Sequence, residues 1–112
     1  MSQAIQSLAV LKPHPGCDLE LIALLREFYS LMYTKQYSRD VLYRDTRQPD
    51  TLIHLRIWLS AEAREDAMHD PDVHRYWMKM PDLGAITVLY EQLDTIFSTQ
   101  EGLVEDLLEG GV

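Results

Sequence analysis

Between Thr51 and Leu59 the sequence TLIHLRIWL alternates two sets of side chains. Ile53, Leu55, Ile57 and Leu59 fall on one side of a strand and Leu52, His54, Arg56 and Trp58 on the other, because successive strand residues point to opposite faces. Neither set is convincingly polar, so both sides of this strand need cover. Ser60 follows directly as a helix N-cap, with Glu62 and Glu65 in the early turns. Asp70-Pro71 interrupts that helix, since the residue before proline is pushed out of the helical region and proline is tolerated at the start of the next turn. A second helical piece then carries His74, Tyr76, Trp77 and Met80 and is expected to stop near Pro81.

The flanking elements follow the same logic. Residues 5–12 (IQSLAVLK) read as a strand, ended by Pro13-His14-Pro15-Gly16. Asp18 is the expected N-cap of a helix running to about Tyr33, whose Leu21, Leu24, Leu25, Phe28, Leu31 and Met32 recur at helical spacing. Residues 38–44 (SRDVLYR) read as a second strand and residues 45–50 as a polar hairpin loop. Residues 85–93 (AITVLYEQL) form the last strand, expected to place Ala85, Thr87 and Leu89 on one side and Ile86, Val88 and Tyr90 on the other. One domain is expected over residues 1–97. A tail over 98–112 holds a capping-box spacing at Ser98–Glu101 and a short helix ended by Gly110-Gly111.

The order β-α-β-β-α-β predicts an α+β, ferredoxin-like domain: a four-stranded antiparallel sheet with its helices on one face. The other face carries several hundred Å² of apolar surface, more than soluble monomers usually expose. A homodimer packed sheet against sheet is therefore expected, a dimeric α/β barrel. A net charge of −8 without a basic stripe argues against nucleic acid as a partner. No apolar run approaches the ~20 residues of a membrane span. The N-terminal residues lack a secretory pattern, and the single cysteine fits a reducing cytoplasm.

The strand ending in IWLSAEA, followed by a helix with AMHDPDVHRY, resembles the antibiotic biosynthesis monooxygenase-like family of dimeric α/β barrels. Trp58, Ala63, His69 and His74 carry the resemblance, which covers about Gln6 to Phe97. It implies a pocket between helices and sheet, and a cofactor-independent monooxygenase acting on a small hydrophobic aromatic or quinoid compound. The alternative it allows is a non-enzymatic dimeric protein that binds a small ligand or serves in stress. The haem-degrading branch is disfavoured. The chain contains no Asn, Ala67 stands where that branch has a helix tryptophan, and Tyr76-Trp77-Met78 occupies the region of its axial histidine. Many members carry Glu at the position of Arg56.

Oxygenation without a cofactor needs a base, an apolar cavity and polar donors that place an anion. His69 and His74 are the candidate bases, since imidazole titrates near neutral pH; exposed helix histidines are the plainer explanation. Trp58, Trp77, Tyr90, His54, Arg56 and Tyr43 are the candidate substrate-binding residues. His54 fits equally a buried, hydrogen-bonded histidine at a subunit interface. Cys17, next to a helix start, is an ordinary thiol or an activated one. No metal site is expected, because His69 and His74 at i and i+5 do not share a helix face.

Overall fold

A computed structural model describes residues 5–99. The elements run β1 (Gln6–Pro13), α1 (Asp18–Thr34), β2 (Ser38–Arg44), β3 (Leu52–Trp58), α2 (Ala61–Met68), α3 (Pro71–Leu83) and β4 (Gly84–Leu93). The four strands form one antiparallel sheet in the order β2-β3-β1-β4, the ferredoxin-like arrangement, with the helices packed on one face. The expected tail helix falls on residues 100–112 and lies outside the described residues.

The local causes match the sequence in most places. Ser60 caps α2 through its hydroxyl, which accepts from Ala63 N–H at 2.9 Å. Asp70 caps α3 by accepting from Asp72 N–H at 2.9 Å, and Pro71 takes the first turn. Lys35 Nζ donates to Asp70 at 2.7 Å and to Asp72 at 2.8 Å, and Tyr37 donates to Asp70 at 2.7 Å. Those bonds, Lys35 first, hold the Asp70 carboxyl down at about 2. The end of α1 is thereby tied to the start of α3.

Three details depart from expectation. Cys17, not Asp18, takes the N-cap of α1 and makes no side-chain cap bond; Asp18 is the first helical residue. The helix α3 continues through Pro81 to Leu83, since a proline in the last turn removes only one intrahelical donor and Gly84 N–H still reaches Met80 O. Then β4 starts without a loop at Gly84. A Cβ there would lie 2.8 Å from Leu21 Cδ2 and 2.9 Å from Lys12 O, so only glycine lets α3 pass into the sheet this close to β1.

The third departure is in β4. Val10 pairs with Val88 but Leu11 pairs with Ile86, leaving Thr87 as an extra residue; a second irregularity lies between Gln6 and Leu8. The bulge breaks the expected alternation. Ile86 and Leu89 pair with Leu11 and Ala9 and join the helix-covered face, whereas Val88 and Tyr90 pair with Val10 and Leu8 and join the opposite face.

The core lies between α1 and the sheet. Leu21, Leu24, Leu25, Phe28 and Met32 pack with Leu11, Leu52 and Trp58 and with Ala67, Val73 and Met80 of the other helices. The second face of the sheet presents Leu8, Val10, Val41, Tyr43, Ile53, Leu55, Ile57, Val88 and Tyr90, as the registers dictate. No described helix is long and apolar enough to cross a membrane.

Candidate functional site

A cavity of about 600 Å³ opens between the helices and the covered face of the sheet. Its apolar wall comes from Leu25, Phe28, Trp58, Met68, Trp77, Ile86 and Leu89, with Ala9 and Leu11 on the sheet side. Trp77 meets Phe28 edge-on, ring centroids 6.3 Å apart, and Tyr76 stacks on Phe28 at 5.1 Å. Trp58 is fixed by its indole N–H, which donates to Ser7 Oγ at 3.1 Å; that hydroxyl in turn donates to Glu91 O. Flat aromatic surfaces held by hydrogen bonds and packing suit a flat, apolar ligand.

Two polar groups from β3 reach the cavity among these walls. Arg56 is almost wholly buried, its Nε donating to Asp40 Oδ1 at 2.7 Å. Its guanidinium carbon lies 4.8 Å from the Phe28 ring centroid and 5.3 Å from that of Trp58. Burial pushes the Asp40 carboxyl above its usual range, against the pull of Arg56 and of the Ser38 hydroxyl. Register explains the pair: Asp40 stands directly across from Arg56 in the β2–β3 ladder.

His54, two residues earlier on the same face, has Nδ1 at 2.5 Å from the Tyr29 hydroxyl of α1. Burial, and then the charge of Arg56, pulls the imidazole down to about 3, so it is neutral at physiological pH. Burial also raises the Tyr29 phenol, which stays protonated. A protonated phenol is the better donor, so Tyr29 O–H donates to Nδ1 and the ring proton sits on Nε2. Among the described residues Nε2 has no protein partner. The cavity thus holds a neutral N–H donor beside a buried cation that a carboxylate keeps in place.

The other expected site residues lie elsewhere. His69 and His74 are exposed, their rings bonded to the main-chain oxygens of Glu65 and Met68, and neither lines the cavity. Tyr90 is turned to the opposite sheet face by the bulge in β4, and Tyr43 sits on that face of β2, opposite Ile53. Trp58, Trp77, His54 and Arg56 do line the cavity. Among the described residues no group of three or more His, Cys, Asp and Glu side chains is spaced to hold a metal ion.

Sequence reasoning passed over Tyr29, Asp40 and Arg64, the last of which also lines the cavity. Asp40 carried a usable signal. It and Arg56 are strand-interior charges of opposite sign, equally distant from Gln48 in the hairpin loop, so a symmetric hairpin brings them opposite each other. Tyr29 had none, because a helix-to-sheet contact follows from packing, not spacing.

No family model matches the sequence, and no curated protein matches it. Solved structures do match. SnoaB, a cofactor-independent oxygenase from Streptomyces nogalater, superposes with a TM-score of 0.70 at 13% identity, over 87% of this chain and 100% of that one. A candidate antibiotic biosynthesis monooxygenase from Chloroflexus aurantiacus gives a TM-score of 0.64 at 24% identity, over 85% and 93%. A possible oxidoreductase of unknown function from Bacteroides thetaiotaomicron gives 0.74 at 10% identity, over 85% and 100%. At these identities the likeness establishes a shared fold, that of the antibiotic biosynthesis monooxygenase structures.

Proposed function

We propose that this chain belongs to the antibiotic biosynthesis monooxygenase-like family and is a cofactor-independent monooxygenase acting on a small hydrophobic aromatic or quinoid compound. The observation that carries the reading is that Arg56 and the neutral N–H of His54 both reach a cavity walled largely by apolar and aromatic side chains. The fold shared with a cofactor-independent oxygenase supports it.

A phenol or enol bound with its oxygen towards these two donors ionises more readily, because a fixed charge and a fixed dipole in a dry site favour the anion. His54, held at about 3, is too weak a base to keep the proton, which leaves to solvent. The electron-rich anion reduces dioxygen by one electron, and the resulting pair joins in a C–O bond. Loss of water from the hydroperoxide leaves a carbonyl, so that R₂CH₂ and O₂ become R₂C=O and H₂O. Asp40 and Tyr29 position Arg56 and His54. His69 and His74 take no part, since neither lines the cavity. The working unit is a homodimer joined through the apolar sheet face, in a reducing cytoplasm that suits the unpaired Cys17.

Oxygen uptake with a panel of anthrones and hydroquinones in chelator-treated buffer tests the reading. With the anthrones the expected result is one O₂ consumed per carbonyl formed, a loss of about 100-fold in Arg56→Met, and no loss in His69→Ala or His74→Ala. The weak basicity of His54 favours a second reading, a non-enzymatic small-ligand-binding protein. Compounds that bind and are recovered unchanged after aeration establish that one and overturn the first.

A further inference from the structure

We propose that the cavity selects organic anions: a flat apolar molecule whose carboxylate pairs with Arg64. The inference rests on the cavity being the ligand site of the preceding reading, and it names the second end of that ligand.

Four side chains lining the cavity have donors of the basic type, and three are engaged. His14 Nε2 lies 2.8 Å from Pro81 O, His54 Nδ1 is on Tyr29, and Arg56 is paired with Asp40. The Arg64 guanidinium alone has no hydrogen bond or ion pair among the described residues, although the residue is half-buried. Its place on α2 aims it inward: Met68, one turn further and on the same helix face, also lines the cavity. A cation partly withdrawn from water and without a counter-charge gains by pairing with an anion. A planar fork of donors matches a carboxylate in two parallel bonds, which a hydroxyl or a neutral carbonyl cannot offer.

Glu91 is the one acidic side chain on the cavity lining, and it is exposed, so water screens it more than Arg64. The chain as a whole carries −8 and repels anions. Preference for an acid must therefore come from the local cation and not from the field of the whole molecule. Arg64 lines the same cavity as the Arg56–His54 pair and the aromatic rings of Phe28, Trp58 and Trp77, so a ligand held by both sets of donors carries an acid and an ionisable hydroxyl.

Quenching of tryptophan fluorescence reports binding without turnover, since Trp58 and Trp77 both line the cavity. The probes are anthraquinone-2-carboxylate and its neutral primary amide. The acid is expected to bind more tightly than the amide. Arg64→Gln, a swap that helices tolerate well, is expected to weaken the acid about tenfold and the amide less than about twofold. Equal affinity of wild type for acid and amide overturns the proposal, as does an equal loss of both in Arg64→Gln; either result leaves the oxygenase reading standing. Failure of wild type to bind both probes overturns the proposal together with the cavity reading. Binding that follows the expected pattern without oxygen uptake on any substrate upholds the proposal and overturns only the oxygenase.

Discussion

Asp40 Oδ1 accepts from Arg56 Nε at 2.7 Å with the two side chains only 1% and 5% exposed. A buried pair like this is expensive to break from one side, because the surviving charge stays in a poor solvent. Asp40→Asn is expected to lower stability by about 3–5 kcal/mol in urea denaturation. The double variant Asp40→Leu with Arg56→Met removes both charges and should recover most of that loss. If Asp40→Asn costs no more than the ~0.5 kcal/mol of a surface change, the pair is not sealed as described.

The lowered pKa of His54 makes stability depend on pH in a definite direction. The imidazole moves from an ordinary 6.5 to about 3 on folding, so between those values the unfolded chain binds a proton that the folded chain refuses. Stability is unaffected by this group above 6.5 and falls as pH drops towards 3, by up to ~1.4 kcal/mol per unit. Wild type should lose about 1 kcal/mol more than His54→Gln between pH 7.5 and 5.5. Denaturant midpoints at the two pH values measure the difference, and parallel losses in both proteins contradict the assignment.

Local chemistry made much of this fold legible. The Thr51–Leu59 alternation located β3, and Asp70-Pro71 located the junction of α2 and α3, because caps and prolines act within a few residues. What escaped depends on distance or on counting across strands. Tyr29 and His54 are 25 residues apart and meet only because α1 packs over β3. Tyr90, expected to bind substrate, lies on the opposite face, paired with Leu8, because one extra residue at Thr87 shifts the alternation of β4. His69 and His74 stand out as a motif, yet their rings bond main-chain oxygens of α2 and neither lines the cavity. Of the two histidines that line the cavity, His54 shares the strand face of Arg56 and Trp58 and is legible by alternation, whereas His14 sits in the proline-rich turn and is not.

Gln36 follows the C-cap of α1 with a φ of 58°, a left-handed conformation that a side chain opposes. The surrounding bonds are those of a Schellman ending: Gln36 N–H to Tyr33 O at 3.0 Å and Tyr37 N–H to Met32 O at 2.9 Å. Gln36→Gly keeps both bonds and removes the Cβ conflict. A gain of roughly 0.5–1 kcal/mol is expected, after the flexibility glycine adds to the unfolded chain is deducted. Thermal unfolding of the variant checks it, and a fall in midpoint contradicts it.

Ile86 and Val88 are two residues apart and both exposed, at 50% and 40%. A regular strand would put them on one face; the bulge at Thr87 puts Ile86 on the cavity side and Val88 on the open sheet face. A charge at each position should therefore have opposite consequences. If two copies join through the open face, Val88→Glu buries a carboxylate among Val10, Ile53 and their counterparts, a cost of several kcal/mol that dissociates the pair. The same substitution leaves a single subunit nearly unchanged, because Val88 is already in contact with water there. Ile86→Glu should instead leave the assembly intact and weaken binding of apolar probes in the cavity. Sedimentation at micromolar concentration, with tryptophan quenching on the same samples, separates the two effects. A single-subunit mass for the unmodified chain removes the sheet-to-sheet dimer, and dissociation by Ile86→Glu but not Val88→Glu moves the contact to the other face of the sheet.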